Sequence, residues 1–81
     1  MSVYLDRIGH LTADSREELH AFARLVGIPR RWFADRPRLW RYDLLSLQLQ
    51  GRALKAGAIW LKDPRDSVRV LRRANGEPSG G

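Results

Sequence analysis

The chain has 81 residues, room for one domain with a modest core, and no cysteine, which excludes a disulfide framework and a thiolate metal site. Its 15 Lys and Arg against 9 Asp and Glu give a net charge of +6 and a pI near 11.1, making a polyanion the first partner to consider and a membrane surface the second. No stretch approaches the roughly 18 apolar residues of a membrane span, and the N-terminus lacks the apolar run of a secretory signal, so a cytoplasmic protein without membrane attachment is expected.

Residues 2–5 alternate as a short strand that Asp6, Arg7 and the turn-forming Gly9 interrupt, and a second extended piece follows at residues 10–13. Asp14 with Glu17, or Ser15 with Glu18, can then form a capping box. The helix it opens carries Leu19, Phe22, Ala23 and Val26 on one stripe, with Gly27 at its C-terminal end and His20 at the stripe's rim. Pro29 can start a short helical turn through Arg30 to Phe33, and Pro37 argues against regular structure beyond it.

Residues 27–43 concentrate arginine and aromatic side chains. Arg30, Arg31, Arg36, Arg38 and Arg41 alternate with Trp32, Phe33, Trp40 and Tyr42. Guanidinium forks beside flat rings suit a phosphate-bearing or base-stacking ligand. The same residues equally suit a rigid connector whose tryptophans plug the core while its arginines face water. Apart from Lys55 and Lys62 every basic residue is Arg, which fits bidentate phosphate contacts but is also what a GC-rich genome produces.

A second helix is expected from Asp43 or Ser46 to Ala56. Leu44, Leu47, Gly51 and Leu54 form one apolar stripe, and Leu45, Leu49 and Ala56 a second, so the helix is either sandwiched within the domain or shared in a homodimer. Gly51 in mid-helix suggests close approach of another backbone. Residues 58–61 read as a strand, and Asp63-Pro64 opens a third helix on which Arg65, Arg69, Arg72 and Arg73 make a basic face. The expected architecture is a single small α/β domain over residues 1–75, a two- or three-stranded sheet packed by three helices, followed by a disordered tail over 76–81. A right-handed crossover would set the first and last strands parallel.

No phosphate loop, zinc-finger spacing or nucleophile elbow is present, and no cofactor or metal centre is expected. What remains is a loose constellation of His10, His20, Asp14 and Asp43, with Arg41 and Tyr42 directly before Asp43. Two histidines and a carboxylate can act as acid and base or bind a metal, though this spacing is not diagnostic.

The chain resembles a family of small bacterial and phage proteins catalogued as domain of unknown function 4031. The resemblance covers roughly residues 2–60 and rests on Val3-Tyr4-Leu5-Asp6, His10-Leu11-Thr12-Ala13-Asp14, Glu18-Leu19-His20-Ala21-Phe22-Ala23, Ile28-Pro29-Arg30-Arg31-Trp32-Phe33, Tyr42-Asp43-Leu44 and Gly57-Ala58. The family pattern has a longer segment before the first histidine and a histidine in place of Arg41. If the family's His-Tyr-Asp is a metal or acid-base element, Arg41 makes this member inactive or a phosphate binder. The resemblance implies a shared cleft in which His10, His20, Arg41, Tyr42 and Asp43 converge, and a phage or prophage origin.

The leading expectation is a non-enzymatic module that binds nucleic acid or another phosphate ligand through Arg30, Arg31, Arg36, Arg38 and Arg41, with Trp32 or Trp40 stacking. One alternative is a small hydrolase or nuclease using His10, His20 and Asp43, aided by Tyr42. Another is a phage-type protein that binds a host protein through the second apolar stripe of the Ser46 helix.

Overall fold

A computed structural model describes residues 2–76; the tail expected beyond them lies outside the described residues. Five strands and three helices follow one another as β1 (Val3–Asp6), β2 (His10–Ala13), α1 (Arg16–Val26), a 3-10 turn (Arg30–Trp32), β3 (Phe33–Ala34), β4 (Arg41–Asp43), α2 (Leu47–Lys55), β5 (Ile59–Leu61) and α3 (Arg65–Ala74). The strands form one mixed sheet in the order β3-β4-β2-β1-β5. β1 pairs antiparallel with β2 and parallel with β5, as the crossover argument requires, while β4 pairs antiparallel with both β2 and β3.

The sheet is therefore wider than the two or three strands expected. β3 and β4 are two and three residues long, too short to show a period of two. Pro37 does not end regular structure; it sits in the connection between them, where no ladder N–H is needed.

Local chemistry explains the helix ends. Of the two capping boxes, Ser15 is the one used: its Oγ accepts from the Glu18 N–H at 3.2 Å. Asp14 instead accepts from the Ser2 N–H at 2.9 Å and the Tyr4 hydroxyl at 3.1 Å, tying β2 to β1. Gly27 ends α1 in the left-handed region at φ 90°, its N–H donating to the Ala23 carbonyl. Ser46 caps α2 and Asp63 accepts from the Arg65 N–H at the start of α3.

Register sorts the side chains into two faces. Leu5, Leu11 and Tyr42 stand in one row across the sheet, and Tyr4 with Thr12, and His10 with Asp43, project from the other. α1 and α2 pack against each other and on the first face, where Leu19, Ala23 and Ala53 are buried, and α3 covers the second with Ser67, Val70 and Leu71. The core runs through Leu5, Leu11, Leu19, Trp40, Tyr42 and Leu44. No helix among the described residues is long and apolar enough to cross a membrane.

The apolar pattern of α2 resolves differently from the two stripes expected. Leu49 packs on the core while Leu47 is 83% exposed and Leu45, ahead of the cap, is 86% exposed. Leu45, Leu49 and Ala56 thus do not form one free strip, because the helix begins only at Leu47 and turns its Leu49–Ala53 edge inward. Gly51 has no close neighbour either: a Cβ there would meet nothing within 4 Å. Gly51→Ala is accordingly expected to stabilise the fold by about 0.5–1 kcal/mol through a less flexible unfolded chain, read as a higher urea midpoint at unchanged slope.

Candidate functional site

β4 is the element that distributes the polar residues. Because successive side chains on a strand point to opposite faces, Tyr42 lies towards α1 while Arg41 and Asp43 lie towards α3. The single cleft implied by the resemblance is therefore split in two. His20 joins Tyr42 on one face, and His10 joins Asp43 and Arg41 on the other.

On the α3 face the centre is Asp6, fully buried. Its Oδ1 accepts from the N–H groups of Ile8, Gly9 and His10 at 2.9–3.0 Å, and its Oδ2 accepts from the Ser67 hydroxyl at 2.9 Å. His10 Nδ1 stands 3.2 Å from the same Oδ2, and its Nε2 3.7 Å from Asp43 Oδ1. Arg41 completes the row, its Nε donating to Asp43 Oδ1 at 3.0 Å and its terminal N–H to the Leu39 carbonyl. Gly9 allows this packing: it has φ 102°, and a Cβ on it would lie 2.6 Å from the Leu44 carbonyl oxygen.

The order of these groups bears on catalysis. A nucleophilic centre places the hydroxyl on the imidazole and the imidazole on the carboxylate. Here the Asp6 carboxylate lies between Ser67 and His10, so Ser67 is not activated by the histidine. The Asp6-His10-Asp43-Arg41 row reads as a polar brace between the β1–β2 turn, β4 and, through Ser67, α3. Among the described residues no three His, Asp or Glu side chains gather as a metal site.

On the α1 face, His20 Nδ1 and the Tyr42 hydroxyl share a hydrogen bond of 2.8 Å, and the His20 and Phe33 rings meet edge to face at 4.5 Å. Burial first, then the Arg30 and Arg16 guanidiniums, pushes the imidazole pKa below its ordinary value, so His20 is uncharged at neutral pH. Burial raises the Tyr42 hydroxyl and keeps it protonated. Beside this neutral pair opens a pocket of about 210 Å³ lined by His20, Arg24, Ile28, Arg30 and Tyr42. No carboxylate lines it. Arg30 also stands 5.5 Å from the Phe33 ring centroid, which orients its guanidinium.

The remaining expected ligand residues divide by burial. Arg31, Arg36 and Arg38 are exposed, Arg38 at a left-handed φ of 63°, and Trp32 packs partly against the core. Trp40 cannot stack on a ligand: it is 2% exposed, and its Nε1 donates to Asn75 Oδ1 at 3.1 Å. It is a core plug, with the Arg16 guanidinium 5.6 Å from its ring centroid. On α3, Arg65 and Arg69 pair with Asp63 and Asp66 while staying exposed, and Arg72 and Arg73 are exposed beside them.

Sequence reasoning passed over Arg24, Asp6 and Ser67. Arg24 lies four residues after His20, so helical spacing alone places both on one face. Asp6 three residues before Gly9 is an Asx-type turn signal. Ser67 carried no local signal, being 61 residues from the carboxylate it serves.

Fold and site together define a small three-layer α/β domain with a cation-lined pocket on one face and a braced carboxylate–histidine row on the other. The chain belongs to the family described as protein of unknown function (DUF4031), whose model matches residues 3–74. No curated protein and no solved structure matches it.

Proposed function

We propose that this protein is a binding module for a phosphate-bearing ligand, nucleic acid first, which places a phosphate in the pocket between α1 and the 3-10 turn. The observation that carries this reading is the convergence of Arg24 and Arg30 on the uncharged His20-Tyr42 pair with no carboxylate in the lining. Two guanidiniums with no carboxylate beside them in the lining form an anion site, and neutral imidazole and phenol groups add hydrogen bonds without competing for it. Arg31 lies in the same 3-10 turn as Arg30 and is exposed, and the chain's charge of +6 supplies the longer-range attraction.

The test is fluorescence anisotropy with a labelled 5′-phosphorylated oligothymidylate. The double variant R24A/R30A is expected to bind about tenfold or more weakly, with a shallower salt dependence by roughly 1.4 for two lost single-strand phosphate contacts. Both side chains are exposed, so the variant retains its fold, and R72A/R73A on the opposite face serves as a charge-matched control. Equal weakening by the two double variants would reduce the effect to net charge and overturn the pocket. Wild-type affinity that does not fall between ~50 and ~200 mM salt would overturn the phosphate reading altogether.

A further inference from the structure

The two edges of the sheet are built differently. β3 is two residues long and is flanked by Pro29, Asp35, Arg36 and Pro37, and charges and prolines of this kind blunt an edge against further pairing. β5 has no such protection. No residue from 58 to 61 is charged or a proline, and Ile59 and Trp60 are 46% and 49% exposed. Among the described residues β5 pairs with β1 alone, so every second N–H and C=O along its outer side has no strand partner. An edge of this kind recognises an extended backbone that carries apolar side chains.

Register decides how well this edge suits itself. Ile59 and Leu61 stand beside Tyr4 and Asp6 on the α3 face, and Trp60 stands beside Leu5 on the face of α1 and α2. Facing residues in an antiparallel pair turn their backbone groups either both towards each other or both away. In a pair of identical edges the two facing residue numbers are therefore both odd or both even, and the two-fold axis passes through a residue. An axis at Ile59 would set Leu61 against Gly57, and one at Leu61 would set Trp60 against Lys62 and Ile59 against Asp63. Only an axis at Trp60 pairs all three strand residues with one another, Trp60 with Trp60 and Ile59 with Leu61. It also keeps like charges apart. Lys62 then faces Ala58, and the two Lys62 residues lie four positions, about 13 Å, apart along the strands, beyond the Debye length of about 8 Å at physiological salt.

We propose that β5 pairs antiparallel with β5 of a second copy about a two-fold axis at Trp60, joining two five-stranded sheets into one. The axis stands perpendicular to the sheet, so α1 and α2 of both copies lie on one side and α3 on the other. The two Trp60 rings cover each other on the first side, and Ile59 meets Leu61 twice on the second. This moves the shared surface from α2, where the sequence set it, to the sheet edge. The contact is small. Three residues a side bury less than the roughly 800 Å² per partner of a standard interface, so a Kd on the order of 0.1 mM is expected. The phosphate pocket plays no part in it, since none of its lining residues lies on β5.

Sedimentation equilibrium of the full chain, free of nucleic acid and at ~0.3 M salt to screen its net charge, tests the pairing. Between ~10 µM and ~1 mM the average mass is expected to rise from that of one chain towards twice that value. Trp60→Lys should weaken association about tenfold or more, whereas Leu47→Lys, at an 83% exposed position on α2, should associate as wild type does. In NMR of wild type mixed from labelled and unlabelled chains, intermolecular NOEs should join the methyl groups of Ile59 and Leu61. These NOEs need no substitution, so they decide the matter alone if Trp60→Lys does not fold. A wild-type monomer at ~1 mM would mean that the edge serves a different chain, and would overturn the proposal. So would association that Leu47→Lys abolishes and Trp60→Lys leaves intact, or a dimer without NOEs between Ile59 and Leu61.

Discussion

Asp6→Ala is expected to lower the unfolding free energy by about 3–5 kcal/mol, because it removes one carboxylate and strands several groups at once. The N–H groups of Ile8, Gly9 and His10 lose their side-chain acceptor, the buried Ser67 hydroxyl loses its partner, and His10 keeps only Asp43. Small domains hold roughly 5–15 kcal/mol in total, so this variant should be largely unfolded well below the wild-type urea midpoint. Asp6→Asn retains an acceptor oxygen for the turn and should recover about half of the loss. A midpoint for Asp6→Ala within experimental error of wild type would mean that water replaces the carboxylate and that the turn is not braced.

The second large effect is at Trp40. Trp40→Ala removes a fully packed indole and should cost about 3–5 kcal/mol, with Trp40→Phe costing about 1–2 kcal/mol through the lost bond to Asn75. Oligonucleotide affinity measured on folded Trp40→Phe should equal that of wild type, since the ring lies beneath the surface. A variant of native stability and impaired binding would return this ring to the ligand surface. The same measurement on Trp32, which is only partly buried, separates a plug from a contact residue within one short segment.

Sequence reasoning succeeded where chemistry is local. The Ser15 cap, the Gly27 end of α1, the turn after Pro29 and the first and last strands all follow from residues within four positions of one another, and helix and strand periods are visible over such spans. It failed where a residue's role is set by a distant partner. Trp40 and Trp32 look alike as letters, yet the first is packed in the core with its indole N–H on Asn75, a residue 35 positions away just past the end of α3. Arg41, Tyr42 and Asp43 look like one motif, yet the pleat of a three-residue strand sends them to two different faces. The pairing of His10 with His20 failed for the same reason. Arg24 was missed as well, although its place one helical turn after His20 is a local signal that could have found it.

The two oxygens of Asp6 also belong to different moments in the formation of the fold. Oδ1 closes a turn within four residues of its own position, whereas Oδ2 meets Ser67 only after 61 residues of intervening chain have been brought back. Closing a short loop is fast and a long one carries a larger entropy cost, so the β1–β2 hairpin can form first, with β5 and α3 docking on it afterwards. Loss of the bonds at Oδ1 is therefore felt in the rate of refolding, and loss of the bond at Oδ2 in the rate of unfolding. One carboxylate thus works first as a template for the hairpin and then as a latch on the last helix to arrive.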